Sequence, residues 1–118
     1  ITVRRGDRVR LVVEGEWSCG ARGEMTGPQG YDPRDLRFSH YYLQGLGAPK
    51  QLDSAPYGAL LARIGTNPIV AIGASRGFVA DADGPLLFDV NEAPEPAHRR
   101  NNRGALKIKV VVTPATAQ

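Results

Sequence analysis

With 118 residues the chain is long enough for one hydrophobic core and too short for two, and its 14 glycines and 9 prolines exclude long helices in favour of short elements joined by many turns. The formal charge of +3 comes from arginines interleaved with Asp and Glu, with one local cluster at Arg99, Arg100 and Arg103, which is not the concentrated basic face of a nucleic-acid binder. The single cysteine, Cys19, excludes an internal disulfide, and no apolar run is long enough to span a bilayer.

In chain order, a short extended segment at residues 1–5 meets a Gly6-Asp7 turn and then a strand at 8–14, where Val9, Leu11 and Val13 alternate with mainly polar neighbours. Trp17 follows as a plug at the strand end. From 18 to 57 the periodicity disappears among Gly27-Pro28-Gln29-Gly30, Asp32-Pro33, Gly45, Gly47, Pro49 and Pro56, a length that marks a functional loop or an insertion; Tyr41-Tyr42-Leu43 is its one candidate element. Short strands then follow at 59–64, 69–72, 78–80 and 86–90, with Asp83-Gly84 read as a hairpin turn. The clearest strand is 105–112, which sets Leu106, Ile108, Val110 and Val112 on one face and Lys107 and Lys109 on the other. The pattern predicts a single all-β domain over 1–118, a small antiparallel β-sandwich or barrel, excised from a larger protein.

Catalytic signatures are missing. His40 and His98 stand far apart, and neither belongs to an H-E-x-x-H or G-x-S-x-G pattern. Asp81 and Asp83-Gly84 begin like a calcium loop but lack its later ligands, and Arg5-Gly6-Asp7 matches an adhesion tripeptide where a turn is the simpler reading. The chain is therefore expected to bind rather than to catalyse.

The segment 91–104 carries oxygen donors at both ends: Glu92 on one side, Asn101 and Asn102 on the other. A hard cation such as calcium takes six to eight oxygens, which a loop supplies from carboxylates, Asn side chains and carbonyls. By spacing alone the Asn pair fits a turn better, because Asn tolerates left-handed backbone, and the three nearby arginines oppose a cation unless they point away.

In order along the chain, Ile1 to Leu11 with Gly6-Asp7, then Gly15 and Trp17, Gly27-Pro28-Gln29-Gly30, the run from Gly58 to Gly65, Asn91-Glu92 and Asn101-Asn102-Arg103-Gly104 resemble the motifs of the bacterial calcium-dependent galactose-binding lectins. The resemblance implies a small β-sandwich lacking the family's first strand, a secreted or cell-surface location, and a carbohydrate, galactose-like or another glycan, as partner. It also implies a calcium ion held by the side chains of Glu92, Asn101 and Asn102, the carbonyl of Cys19 and one carbonyl within 97–100. Sugar contacts are implied for Glu92 and Asn101, and for Tyr31, Asp32 and Pro33, which follow the Gly-Pro-Gln-Gly motif. The chain departs from the family in having Glu for Asp at 92, a longer loop before Asn101, and Tyr31-Asp32-Pro33-Arg34-Asp35 in place of His-Pro-x-Gln. A protein-interaction module on the same fold is the alternative, with 37–57 as its partner surface; there Phe38, Tyr41, Tyr42 and Tyr57 either stack on a sugar or bury as core.

Overall fold

Among the described residues seven strands form, where apolar residues alternate with charged ones or where a short apolar run is bracketed by turn residues. In the computed structural model, which describes residues 1–18, 25–32, 34, 50–52, 54–92 and 103–115, they are β1 (Thr2–Val3), β2 (Arg8–Ser18), β3 (Leu60–Ile64), β4 (Val70–Ala71), β5 (Ser75–Val79), β6 (Gly84–Val90) and β7 (Arg103–Thr113). They build two antiparallel sheets, ordered β1-β6-β3-β4 and β5-β2-β7. The predicted all-β antiparallel sandwich is thus observed. Among the described residues no helix is long and apolar enough to cross a membrane.

Each sheet contributes the inward half of an alternating pattern to one core. From the three-stranded sheet come Val9, Leu11 and Val13; Leu60, Ala62, Ile64 and Leu86 face them from the four-stranded sheet. The central pairing is long: β2 and β7 match residue for residue from Arg8↔Thr113 to Ser18↔Arg103. Trp17, expected after the strand, lies within it, because backbone pairing to Gly104 continues past the point where the apolar alternation stops.

Among the described strands β3 and β4 alone pair as sequence neighbours; every other connection between consecutive strands passes from one sheet to the other. The hairpin expected at Asp83-Gly84 is therefore corrected to a crossover, since β5 and β6 belong to different sheets and the local turn chemistry does not reveal which sheet the next strand joins. Asp83 accepts the Arg5 N–H at 2.8 Å across this end of the sandwich. Arg5-Gly6-Asp7 is also a crossover: the buried Asp7 carboxylate accepts the N–H groups of Arg4 at 2.9 Å and Ala115 at 3.4 Å, so its acidic group is engaged within the fold.

Strand limits shift elsewhere by one to three residues. The segment predicted at 78–80 is Ser75–Val79, because Ser75, Arg76 and Gly77 lack an apolar signal yet pair in register with Val12, Leu11 and Arg10. Replacing the fully buried Leu11 by Ala is expected to lower stability by about 2–5 kcal/mol. Val111→Ala, on the exposed face of β7, is expected to change it by less than about 0.5 kcal/mol, and urea unfolding of the two variants checks the difference.

Candidate functional site

At the end of β6 the chain places two fully buried polar residues in succession, Asn91 and Glu92. A buried polar group costs free energy unless it is paired, so each calls for partners. The Asn91 amide group donates to the carbonyls of Leu52 at 2.9 Å, Ala55 at 3.1 Å and Pro56 at 2.9 Å, and its oxygen accepts the N–H groups of Gln51 and Leu52, both at 2.9 Å. Its backbone adds bonds to Ala59 and Gly58. One side chain thereby satisfies the irregular backbone leading into β3.

Gln51 completes this clamp by donating to Asp89 Oδ2 at 2.9 Å and to the carbonyls of Val90 and Glu92. Leu61 lies on the opposite face of β3 from the core residues Leu60 and Ala62, yet it is fully buried, and Gln51 shares a surface depression with it. The described part of the 37–57 segment is thus tied down onto its own sheet.

Glu92 is held by an aromatic pair. Its Oε2 accepts the Tyr57 hydroxyl at 2.6 Å, and the Tyr57 ring stacks on Tyr31 with centroids 5.9 Å apart and planes 24° apart. The Tyr31 N–H donates to the Tyr57 carbonyl at 2.8 Å. Gly58 is required beside them: its φ is +81°, and a Cβ there would lie 2.8 Å from the Tyr31 ring. The Gly58 carbonyl accepts the Trp17 indole N–H at 2.8 Å, which links this network to β2. The Gly27-Pro28-Gln29-Gly30 loop is anchored to the same place, because the Pro28 carbonyl accepts the Leu60 N–H at 2.8 Å.

Of the residues proposed from sequence, Glu92, Tyr31 and Asp32 can be placed. Cys19, Pro33, Asn101 and Asn102 lie outside the described residues, as do His40, His98, Phe38, Tyr41 and Tyr42. Tyr31 is 0 % exposed, and its ring supports Tyr57 from within. Between the two roles open to Tyr57, core burial is the one observed, at 5 % exposure. Asp32 is at the surface and bonds its own turn, accepting the Arg34 N–H at 2.9 Å and its guanidinium Nε at 3.2 Å and Nη2 at 3.3 Å. That hydrogen bond, and then the Asp32 charge, raises the Arg34 pKa above its ordinary value.

The described strand ends converge on one cavity of about 410 Å³, lined among others by Ser18, Val90 and Gly104. Cys19 directly follows Ser18, Glu92 stands two residues beyond Val90, and Asn101-Asn102 immediately precede β7. Among the described residues no group of three or more His, Cys, Asp or Glu side chains gathers at one point. Sequence reasoning missed Asn91 as the anchor, since its partners lie 35 to 40 residues earlier and no local pattern connects them.

No family model matches the chain, and no curated protein matches it. Among solved structures it is similar to one described as the EclA N-terminal domain, a PllA-like lectin, with 21 % identity, a TM-score of 0.62, and coverage of 96 % of this chain and 82 % of that chain. That likeness extends over nearly all of the sandwich and establishes the class of fold: a lectin-like β-sandwich.

Two substitutions test the polar network. Asn91→Asp keeps the shape but sets carboxylate oxygen against three carbonyls, and is expected to cost about 3–5 kcal/mol as an uncompensated buried charge. Tyr57→Phe removes the bond to Glu92 and is expected to cost about 1.5–3 kcal/mol, both measured by urea unfolding.

Proposed function

We propose that the chain is a non-catalytic carbohydrate-binding module that holds sugar hydroxyls through a calcium ion at the rim where β2, β6 and β7 end. The observation that carries this reading is the convergence of Ser18, Val90 and Gly104 on one cavity, in a sandwich similar to a lectin domain. The candidate donors flank those three points in sequence, which supports a shared ion at this rim.

The donor chemistry fits a hard cation. Glu92, Asn101 and Asn102 offer side-chain oxygens, and the carbonyls of Cys19 and one residue within 97–100 complete a set of the type calcium takes. The Tyr57 hydroxyl orients the Glu92 carboxylate, a role that hydrogen bonds to metal ligands commonly have. When bound, calcium supplies open coordination positions that two vicinal hydroxyls of a sugar can fill in place of water. Asp32 is the exposed candidate for a direct sugar contact, and its Arg34 partner adds a donor beside it. Galactose itself is not assigned, because residues 31–35 differ from the family's sugar-contact sequence. A secreted or cell-surface location goes with this reading.

Calcium at a hundredfold excess over its Kd is expected to stabilise the chain by about 2.7 kcal/mol, read as a rise in Tm that EGTA reverses. Glu92→Gln is expected to abolish the shift, with the double change Asn101→Ala and Asn102→Ala as a second variant that leaves the buried Glu92–Tyr57 pair intact. A glycan array read with and without calcium tests the sugar. Glycan binding with no calcium shift would remove the metal and keep the lectin reading, whereas a calcium shift with an empty array would remove the sugar.

A further inference from the structure

The outward face of the three-stranded sheet gathers basic residues that the sequence scatters. Pairing of β2 with β5 and β7 sets Val79, Arg8 and Thr113 in one row across the sheet, Gly77, Arg10 and Val111 in the next, and Ser75, Val12 and Lys109 in a third. All nine residues are exposed. Cations and methyl groups thus alternate over these rows with no carboxylate among them, whereas the acidic residues of the face, Glu14 and Glu16, come later along β2, where Lys107 stands opposite Glu14. Folding makes a one-signed patch out of a mixed sequence.

Over the first two rows the surface dips into a depression of about 440 Å³, lined by Arg8, Arg10, Gly77, Val79, Val111 and Thr113. Gly77 makes the dip, since it has no side chain and a Cβ there would meet nothing nearer than the Val9 carbonyl at 3.8 Å. Arg8 and Arg10 leave the same strand face about 6.6 Å apart. Each guanidinium carries a planar set of donors that matches the oxygens of an oxyanion. On the two neighbouring strands Val79 and Val111 hold methyl groups in water, at 60 % and 45 % exposure. Apolar surface rimmed by charge is where a ligand with both characters gains most.

We infer that this depression binds an acidic sugar unit, one carrying a carboxylate or a sulfate ester, without calcium. The anionic group sits over Gly77 within reach of Arg8 and Arg10, and the C–H face of the ring covers the methyl groups of Val79 and Val111. A depression of this size takes one compact unit. A phosphodiester backbone presents charge without an apolar face and would leave the valines uncovered. Taking a sugar as the body that carries the anion rests on the carbohydrate reading above, but the place is separate from the rim: Arg10 precedes Ser18 by eight residues of β2, about 26 Å along the strand.

The test is an amide NMR titration of the protein in EGTA, which keeps calcium from the rim, with glucuronate, a glucose sulfate ester and glucose. The two acidic sugars are expected to shift the amides of residues 8–10, 77–79 and 111–113, and to bind at least about tenfold more tightly than glucose, with an affinity that falls as salt is added. Arg8→Gln and Arg10→Gln, at exposed positions, are each expected to weaken binding at least about fivefold. Gly77→Val is expected to abolish it with both arginines in place; Gly77 has ordinary strand backbone, and an unchanged Tm verifies the fold. No shift with either acidic sugar, equal binding of glucose, or tighter binding of a Glu/Val peptide at the same amides would each overturn the inference. None of these outcomes touches a calcium-dependent array signal for neutral glycans, so the two readings fail separately.

Discussion

The position of Tyr57 and Glu92 at the candidate rim depends on one buried amide. Asn91 bonds to the backbone of residues 51, 52, 55 and 56, four points on a segment with no regular structure of its own. Only a side chain with both donors and an acceptor can serve such a segment. Asp has no donors for the three carbonyls, and an apolar residue would leave carbonyls and N–H groups buried without partners, each at about 1–3 kcal/mol. The orientation of that segment then sets Tyr57, and Tyr57 sets the Glu92 carboxylate.

A second buried polar residue has the corresponding task at the β1–β2 crossover. The Asp7 carboxylate accepts backbone N–H groups from Arg4 and Ala115 and its carbonyl accepts the Ala80 N–H, joining the first crossover to the chain after β7 and to the end of β5. The fold needs such ties because most of its connections pass between sheets rather than closing hairpins, and a crossover has no ladder to satisfy its backbone. Asn91 and Asp7 are thus the polar counterparts of the apolar core, and Asn91 belongs to the rim where the candidate ligands start.

The strands were legible wherever one face is buried and the other wet. β2 and β7 follow from alternation and β6 from a short run bracketed by turn residues, and the sandwich class follows from the number and spacing of the strands. What did not show was non-local. Ser75 to Gly77 extend β5 through pairing with β2 and carry no apolar signal of their own, and Asp83-Gly84 has hairpin chemistry at a point where the chain changes sheets. Tyr31 was read as a surface contact because it follows a loop motif, but the ring found room against Tyr57, which is brought to it by Asn91. Glu92 was named as a ligand for an ion, and its bond to Tyr57 was not foreseen, because the two residues lie 35 positions apart in the chain.

The register of β2 against β7 carries the last step from fold to site. Ser18 stands opposite Arg103 and Trp17 opposite Gly104, so the points where Cys19 departs and where Asn101-Asn102 arrive are fixed relative to each other by eleven paired residues. Gly104 makes that approach feasible: its φ is +79°, and a Cβ there would lie 2.6 Å from the Glu16 carbonyl and 3.0 Å from Met25. Because a slip of one residue would turn every inward side chain of β7 outward, the core of the sandwich also sets the spacing of the rim. Gly104 lets the start of β7 close against the strand that carries Trp17, whose indole in turn holds the Gly58 carbonyl beside the tyrosine pair.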